Sequence, residues 1–337
     1  MKYNFLGDTG LKVSELCLGT MTFGGKGYWM AIGQLQQHSV DDIVKRSFDA
    51  GINFIDTANV YSEGLSEELT GKAIRNLGLK RDDLIIATKV RGKMGEGPNE
   101  IGLSRKHIMQ QVDESLKRMS IDYIDLYQVH GYDALTPTED TIRTLDDLVK
   151  SGKVRYIGCS NFAAWQLMKA LAFSAWNHLA KFVSLQAYYT IAGRDLEREL
   201  IPLLNDQKVG LMVWSPLAGG FLSGKYSRHK NPEDARRLNF DFPPVNKEKA
   251  FDIIDVMEPI AQSKNASVAQ IALAWLLHQP VVTSVIIGAK NNHQLEDNLK
   301  AVDIVLSEEE LERLNDVSKL TPEYPAWMLH RQSADRK

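Results

Sequence analysis

The chain repeats one pattern eight times, a short apolar run followed by an amphipathic stretch. Counting from Leu16, the runs are Leu16–Leu18, Asn53–Ile55, Leu84–Thr88, Tyr123–Val129, Val154–Gly158, Phe182–Leu185, Val209–Val213 and Ser284–Ile287. Helices are expected near Val40–Ala50 (Ser39 as N-cap), Ser66–Asn76 (opening on Ser66), Ser104–Met119, Thr138–Lys150, Ala163–Trp176, Leu196–Asp206, Lys247–Lys264, Val268–His278 and Gln294–Ala301. Parallel strands need a crossover connection, usually a helix, so strictly repeated strand–helix order implies a parallel sheet. Eight such units closing on themselves give a (β/α)8 TIM barrel. An open doubly wound sheet is the rival, but no Gly-x-Gly-x-x-Gly follows the first run.

Tyr3–Asn4–Phe5 and Leu11–Lys12–Val13 flank Gly7–Asp8–Thr9–Gly10, which predicts an N-terminal β-hairpin. No linker or low-complexity tract divides the chain, so residues 1–337 read as a single domain. Two connections exceed ordinary loop length, Met21–His38 and Ala218–Asn246. Both follow strands, so on a barrel both belong to the catalytic rim and are expected to shape a pocket. Thr321–Lys337 shows no clear periodicity. A net charge of −3 gives no basic surplus for a nucleic acid or an anionic membrane. No apolar run approaches the ~20 residues of a membrane span, and no signal-peptide core follows Met1. Cys17 and Cys159 lie in apolar runs and read as small core residues of a reducing compartment, the cytoplasm.

Three of the runs end on a residue that a buried strand does not need for stability: Asp56, Lys89 and His130. Tyr61 follows Asp56 in the next loop. A parallel barrel gathers the carboxyl ends of its strands on one rim, so an acid, an amine, an imidazole and a phenol would meet there. A phenol has a pKa near ~10 and acts as a general acid at neutral pH only if that value comes down. Lys89 is expected to lower it by favouring phenolate, Asp56 to hold Lys89 charged, and His130 to hydrogen-bond a substrate carbonyl or share the Tyr61 proton. Taken singly, the residues have plainer readings: a buried ion pair, a core histidine, a loop tyrosine. Those readings give no reason for three polar strand ends to share a rim.

With these residues on the page, the chain resembles the aldo-keto reductase superfamily from about Leu6 to Asn298. The run Asp56–Thr57–Ala58–Asn59–Val60–Tyr61–Ser62–Glu63–Gly64–Leu65–Ser66–Glu67 is similar to the family's first signature, and Lys89 and His130 fill the remaining positions of its catalytic tetrad. His130–Gly131–Tyr132–Asp133 and Val213–Trp214–Ser215–Pro216–Leu217–Ala218–Gly219–Gly220 look like the bacterial aryl-alcohol-dehydrogenase-like branch, which is similar to the β-subunits of voltage-gated potassium channels. The resemblance implies a nicotinamide dinucleotide lying extended across the rim, with Asp56 among the residues around it. Gly19, Thr20 and Met21 would approach the nicotinamide ribose. Ser160, Asn161 and Gln186 would hydrogen-bond the carboxamide, and Trp214 would stack on the ring. Ser215, Pro216, Leu217, Ala218 and Gly219, then Lys225, would cover the pyrophosphate. Gly288, Ala289 and Lys290 with Gln294, Asp297 and Asn298 would hold the adenosine end, where a helix start suits phosphate. Lys290 as partner of a 2′-phosphate favours NADP(H), and Arg236 or Arg237 would cap the adenine or add charge. Gln294 stands where some relatives carry arginine.

The expected function is therefore NADP(H)-dependent interconversion of aldehydes or ketones with alcohols. The alternatives are a cofactor-binding regulatory subunit with little turnover, and an unrelated barrel hydrolase or isomerase. The partner is a small-molecule carbonyl or alcohol, with no nucleic acid and no membrane, and a homo-oligomer stays open. Tyr28, Trp29, Met30, Tyr132, Tyr188 and Trp327 are candidates for an aromatic-tolerant pocket or for plain loop packing.

Overall fold

The computed structural model describes residues 1–229, Arg237 and 240–334. β1 (Tyr3–Phe5) and β2 (Lys12–Ser14) form the antiparallel hairpin. Eight parallel strands then close a barrel: β3 (Leu16–Gly19), β4 (Phe54–Asp56), β5 (Ile85–Val90), β6 (Ile124–Val129), β7 (Val154–Ser160), β8 (Phe182–Tyr188), β9 (Gly210–Trp214) and β10 (Val282–Ile287), with β10 paired to both β9 and β3. Among the described residues the α-helices are α1 (Gln37–Asp49), α2 (Leu65–Asn76), α3 (Arg105–Met119), α4 (Thr138–Lys150), α5 (Ala164–Asn177), α6 (Leu200–Gln207), α7 (Lys247–Ser263), α8 (Val268–Leu277), α9 (Asn292–Leu299), α10 (Glu308–Ser318) and α11 (Ala326–Ala334).

The period-2 alternation of a strand sorts side chains into two cores. Outward residues such as Ile86, Tyr127, Ile157, Leu185 and Val213 pack against the helices. Inward residues Cys17, Phe54, Ile85, Ala87, Leu126, Met212 and Ile286 fill the barrel, joined by Leu6 from the hairpin and by Val183, where the β7–β8 register shifts and breaks the alternation of β8. Gly7 (φ +60°) lies against the amino ends of β8 and β9, where a Cβ would stand 2.3 Å from the Val183 carbonyl oxygen. The hairpin therefore plugs the floor. α3 illustrates the outer layer: Ser104 Oγ accepts from the His107 N–H as its N-cap, Ile108, Val112 and Met119 are buried, and Ser120 ends it in the left-handed region at φ +56°. Each such apolar side chain contributes about 1.5–3 kcal/mol when fully buried.

Several expected boundaries move, for physical reasons. α1 starts at Gln37, whose side-chain amide is held by Asp41 and the Leu69 carbonyl, so Ser39 lies inside the helix and caps nothing. α2 starts at Leu65 after Gly64, and Ser66 is fully buried with its hydroxyl donating to the Thr20 carbonyl. The stretch expected as one helix over Leu196–Asp206 splits into a 3-10 turn (Asp195–Glu197) and α6, which puts Pro202 in the first turn, where its missing N–H costs no helical hydrogen bond. α9 begins at Asn292 with Asn291 as its cap. The C-terminal stretch carries α11.

Candidate active site

Alternation continued upward delivers the functional groups. On β4 the inward row is Phe54 then Asp56; on β5 it is Ile85, Ala87, Lys89; on β6 it is Leu126, Gln128, with His130 just past the end. β4 runs one residue and β5 two residues beyond the ends of the sequence runs, so Asp56 and Lys89 are within strands and almost completely buried. Tyr61 opens a 3-10 turn, Tyr61–Gly64, in which Ser62, Glu63 and Gly64 all have positive φ (50°, 55° and 94°). A Cβ on Gly64 would stand 2.7 Å from Arg118 Cδ, and Arg118 is held by fully buried Glu67 at 2.6 Å. Ser62 ties the same turn to the first long loop: its hydroxyl donates to the Phe23 carbonyl and accepts from the Gly25 N–H, both at 3.0 Å.

Lys89 spends its three protons inside this cluster: on Asp56 Oδ2 (2.6 Å), on the Thr57 carbonyl (2.8 Å) and on the Tyr61 hydroxyl (3.3 Å). Asp56 Oδ1 accepts from the side-chain amides of Gln128 and Gln186, each at 2.9 Å. Burial by itself would lower the Lys89 pKa, yet the charge of Asp56 and the Tyr61 oxygen hold it above the ordinary lysine value. The expected lowering of the Tyr61 pKa does not occur: burial pushes the phenol above its usual value, Asp56 adds to the rise, and the pull of Lys89 is too small to reverse it. His130 meets Tyr61 edge-on, ring centroids 5.7 Å apart. Burial, then the charges of Lys89 and Arg91, drive its pKa down to about 3, so the imidazole is neutral. The four residues form one cluster at the mouth: a protonated phenol, a charged amine paired with an acid, and a neutral imidazole.

The remaining expected residues fall into three groups. Around the mouth, Gly19 ends β3, where a Cβ would strike Ile286 Cγ2 at 2.6 Å, and Thr20 is buried beside Ser66, followed by partly buried Met21. Ser160 ends β7 and Asn161 follows it; Asn161, at φ +56°, donates to Ser160 Oγ and the His130 carbonyl and accepts from Trp214 Nε1 at 3.0 Å. Trp214 ends β9, with Phe242 parallel to its ring (5.8 Å, 9°) and Tyr188 tilted against it. Trp29 stands edge-on to Tyr61 at 5.0 Å and meets Tyr28, which meets Phe240. Tyr132 instead packs on Phe162 and Trp165, and Trp327 meets Tyr324.

In the second group, Ser215 and Ala218 adopt left-handed φ values (52° and 50°), Ser215 Oγ accepts from the Gly219 N–H, and Pro216 and Leu217 complete the turn. Lys225 is exposed. Arg236 lies outside the described residues. Arg237 is buried and spends its guanidinium on the Ala218 and Pro243 carbonyls and on Asp241, so it fastens the second long loop instead of capping an adenine. In the third, Gly288 and Lys290 are exposed, Gln294 accepts from the Lys290 N–H, and Asn298 donates to the Gly288 carbonyl. Asp297 faces elsewhere: its carboxylate accepts from Ser267 and Gln270 at the start of α8, which leaves it a helix-to-helix tie. Gln128 and Gly158 were not singled out from sequence, although Gln128 sits on the inward row two residues before His130.

The match to the Aldo/keto reductase family covers residues 15–319, and the chain belongs to that family of oxidoreductases, which act on carbonyls and alcohols with NAD(P)H. It is 38% identical over 340 residues to the uncharacterized oxidoreductase YrpG of Bacillus subtilis (strain 168), covering 97% of this chain and 100% of that one. It is 37% identical to a probable voltage-gated potassium channel subunit beta of Arabidopsis thaliana (96% and 99% covered). It is 38% identical to the putative aryl-alcohol dehydrogenase C977.14c of Schizosaccharomyces pombe (93% and 95% covered). The residues at the mouth fit a nicotinamide dinucleotide: Gln186 Oε1 accepts no bond from the described residues and is not sealed from solvent, and a Cβ on Gly288 would meet, of the described residues beyond its chain neighbours, nothing nearer than the Gly19 carbonyl oxygen at 3.8 Å.

Proposed function

We propose that the chain is an NADP(H)-dependent reductase of aldehydes and ketones, running also from the alcohol, with Tyr61 as general acid and base. The reading is carried by one observation: Tyr61 Oη, Lys89 Nζ and Asp56 Oδ2 form a continuous buried hydrogen-bonded chain that ends at the mouth. The bound dinucleotide supplies hydride to a carbonyl carbon. The protein's task is then to meet the negative charge growing on the carbonyl oxygen. Tyr61 enters protonated, because burial raises its pKa, and gives its proton to that oxygen. The phenolate left behind faces the Lys89 ammonium, whose charge Asp56 secures. Neutral His130 offers a ring N–H to the same oxygen. Trp29 beside Tyr61, and the aromatic row that runs from it through Tyr28, Phe240 and Phe242 to Trp214, favour flat, aromatic carbonyl compounds.

Ser160, Asn161, Gln186 and Trp214 would hold the nicotinamide end, and Lys225 and Lys290, exposed cations, the phosphates. Lys290 supports NADP(H) over NAD(H). The ratio of kcat/KM for NADPH and NADH on a panel of benzaldehydes tests both points: a preference for NADPH of about tenfold or more is expected, and a clear NADH preference removes the phosphate role of Lys290. Absence of turnover with every carbonyl, while NADPH still binds, would favour the regulatory-subunit reading that the name of the Arabidopsis relative suggests.

A further inference from the structure

Gln186 on β8 directs both of its amide protons into the barrel. One goes to Asp56 Oδ1 at 2.9 Å, the other to Gln128 Oε1 at 3.2 Å. Gln128 on β6 returns its own amide nitrogen to the same Asp56 oxygen at 2.9 Å. The three side chains close a ring above β7, the strand that lies between β6 and β8. The crossing is open because β7 carries glycine there: a Cβ on Gly158 would stand 2.5 Å from Ser184 Oγ and 3.3 Å from Gln128 Cγ. The two ends of a side-chain amide are nearly equal in shape and opposite in hydrogen bonding, so their partners decide which end faces where. Asp56 alone would occupy one proton of Gln186 and leave the other to the mouth. Gln128 takes that second proton, and the mouth receives only an acceptor, Gln186 Oε1.

We infer that Gln128 is a positioning residue: it fixes the side-chain amide of Gln186 so that the oxygen alone is presented to the NH2 of a nicotinamide carboxamide. The inference rests on the NADP(H) reading above and adds to it a residue that never touches the cofactor. A purely structural Gln128, present only to satisfy Asp56, would influence folding without changing which cofactor headgroup is bound.

The test compares two ligands by titration calorimetry, NADP+ and its 3-acetylpyridine analogue, in which a methyl replaces the carboxamide NH2. Thermal unfolding of each variant shows that it is folded. Wild type is expected to bind NADP+ about tenfold tighter than the analogue, the scale of one hydrogen bond to a donor that the analogue lacks. Gln128→Met removes both amide contacts, lets Gln186 turn, and is expected to bring the ratio within about threefold. Gln128→Glu, whose carboxyl beside Asp56 is held protonated by the like charge, supplies an O–H to Asp56 and a carbonyl to Gln186, and is expected to keep the wild-type ratio at pH 6. Should Gln128→Met not fold, Gln128→Asn, which withdraws the amide from both partners by one methylene, carries the same expectation as Gln128→Met. An unchanged ratio in whichever of these is folded, or a wild-type ratio near one, overturns the inference while leaving the reductase assignment standing. Wild type that binds neither ligand overturns the assignment itself, and the inference with it.

Discussion

The lower and upper parts of the barrel interior are made by the same strands under the same alternation, yet they do opposite things. Below, Cys17, Phe54, Ile85, Ala87, Leu126, Met212 and Ile286 form an apolar filling with no group to satisfy. One step higher, the inward positions are Asp56, Lys89, Gln128, Ser160 and Gln186, nearly all without solvent contact. Burying a charge is costly unless a partner and further hydrogen bonds compensate, and here Asp56, Lys89, Gln128 and Gln186 answer one another, while the buried Ser184 hydroxyl beside them finds no partner among the described residues. The lower layers hold the fold together. The upper layer spends part of that stability to keep a proton donor beside a fixed charge.

Substitutions can break this contrast. The largest effect is expected from Lys89→Met, which leaves Asp56 buried without its ammonium: a loss of about 3–5 kcal/mol in chemical unfolding together with carbonyl reduction. Retained stability would show that the pair is not the anchor of the upper layer. Next comes Tyr61→Phe, expected to lower kcat by about 10²–10⁴ while the unfolding midpoint moves little, since among the described residues the hydroxyl makes only the 3.3 Å contact with Lys89. Near-wild-type turnover in this variant would end the general-acid assignment. Leu126→Ala should do the reverse, costing about 2–5 kcal/mol of stability with kcat near wild type at low temperature.

The last effect is read against pH. Native His130 refuses a proton down to about pH 3, whereas an unfolded histidine takes one near ~6.5. The unfolded state thus binds more protons between these values, and stability falls as pH drops through that window. His130→Gln should flatten this acid limb. If the limb is unchanged in the variant, the proton uptake belongs to other groups.

Much of this was legible in advance because barrel strands announce themselves twice, by apolar content and by what interrupts it. Asp56, Lys89 and His130 stood out as polar strand ends, and the family signature around Tyr61 reinforced them. Gln128 escaped because a glutamine inside an apolar run looks like an imperfection until the strand beyond its neighbour is known to place Gln186 opposite. Ser66 misled for the converse reason: serine before a helix is an ordinary cap, and only the fold reveals that it is buried and bonded to Thr20. Arg237 read as a ligand cation because sequence cannot tell an exposed guanidinium from one enclosed by the carbonyls of its own loop.

The plug formed by the hairpin has a practical corollary. Its turn lies at the end of the molecule opposite the mouth, and at Gly10 a Cβ would meet no atom of the described residues beyond its chain neighbours within 4 Å. Both native thiols, Cys17 and Cys159, are fully enclosed. A Gly10→Cys variant would therefore offer a single reactive handle for coupling to an electrode or a bead, with every molecule oriented alike and its opening turned toward the solution.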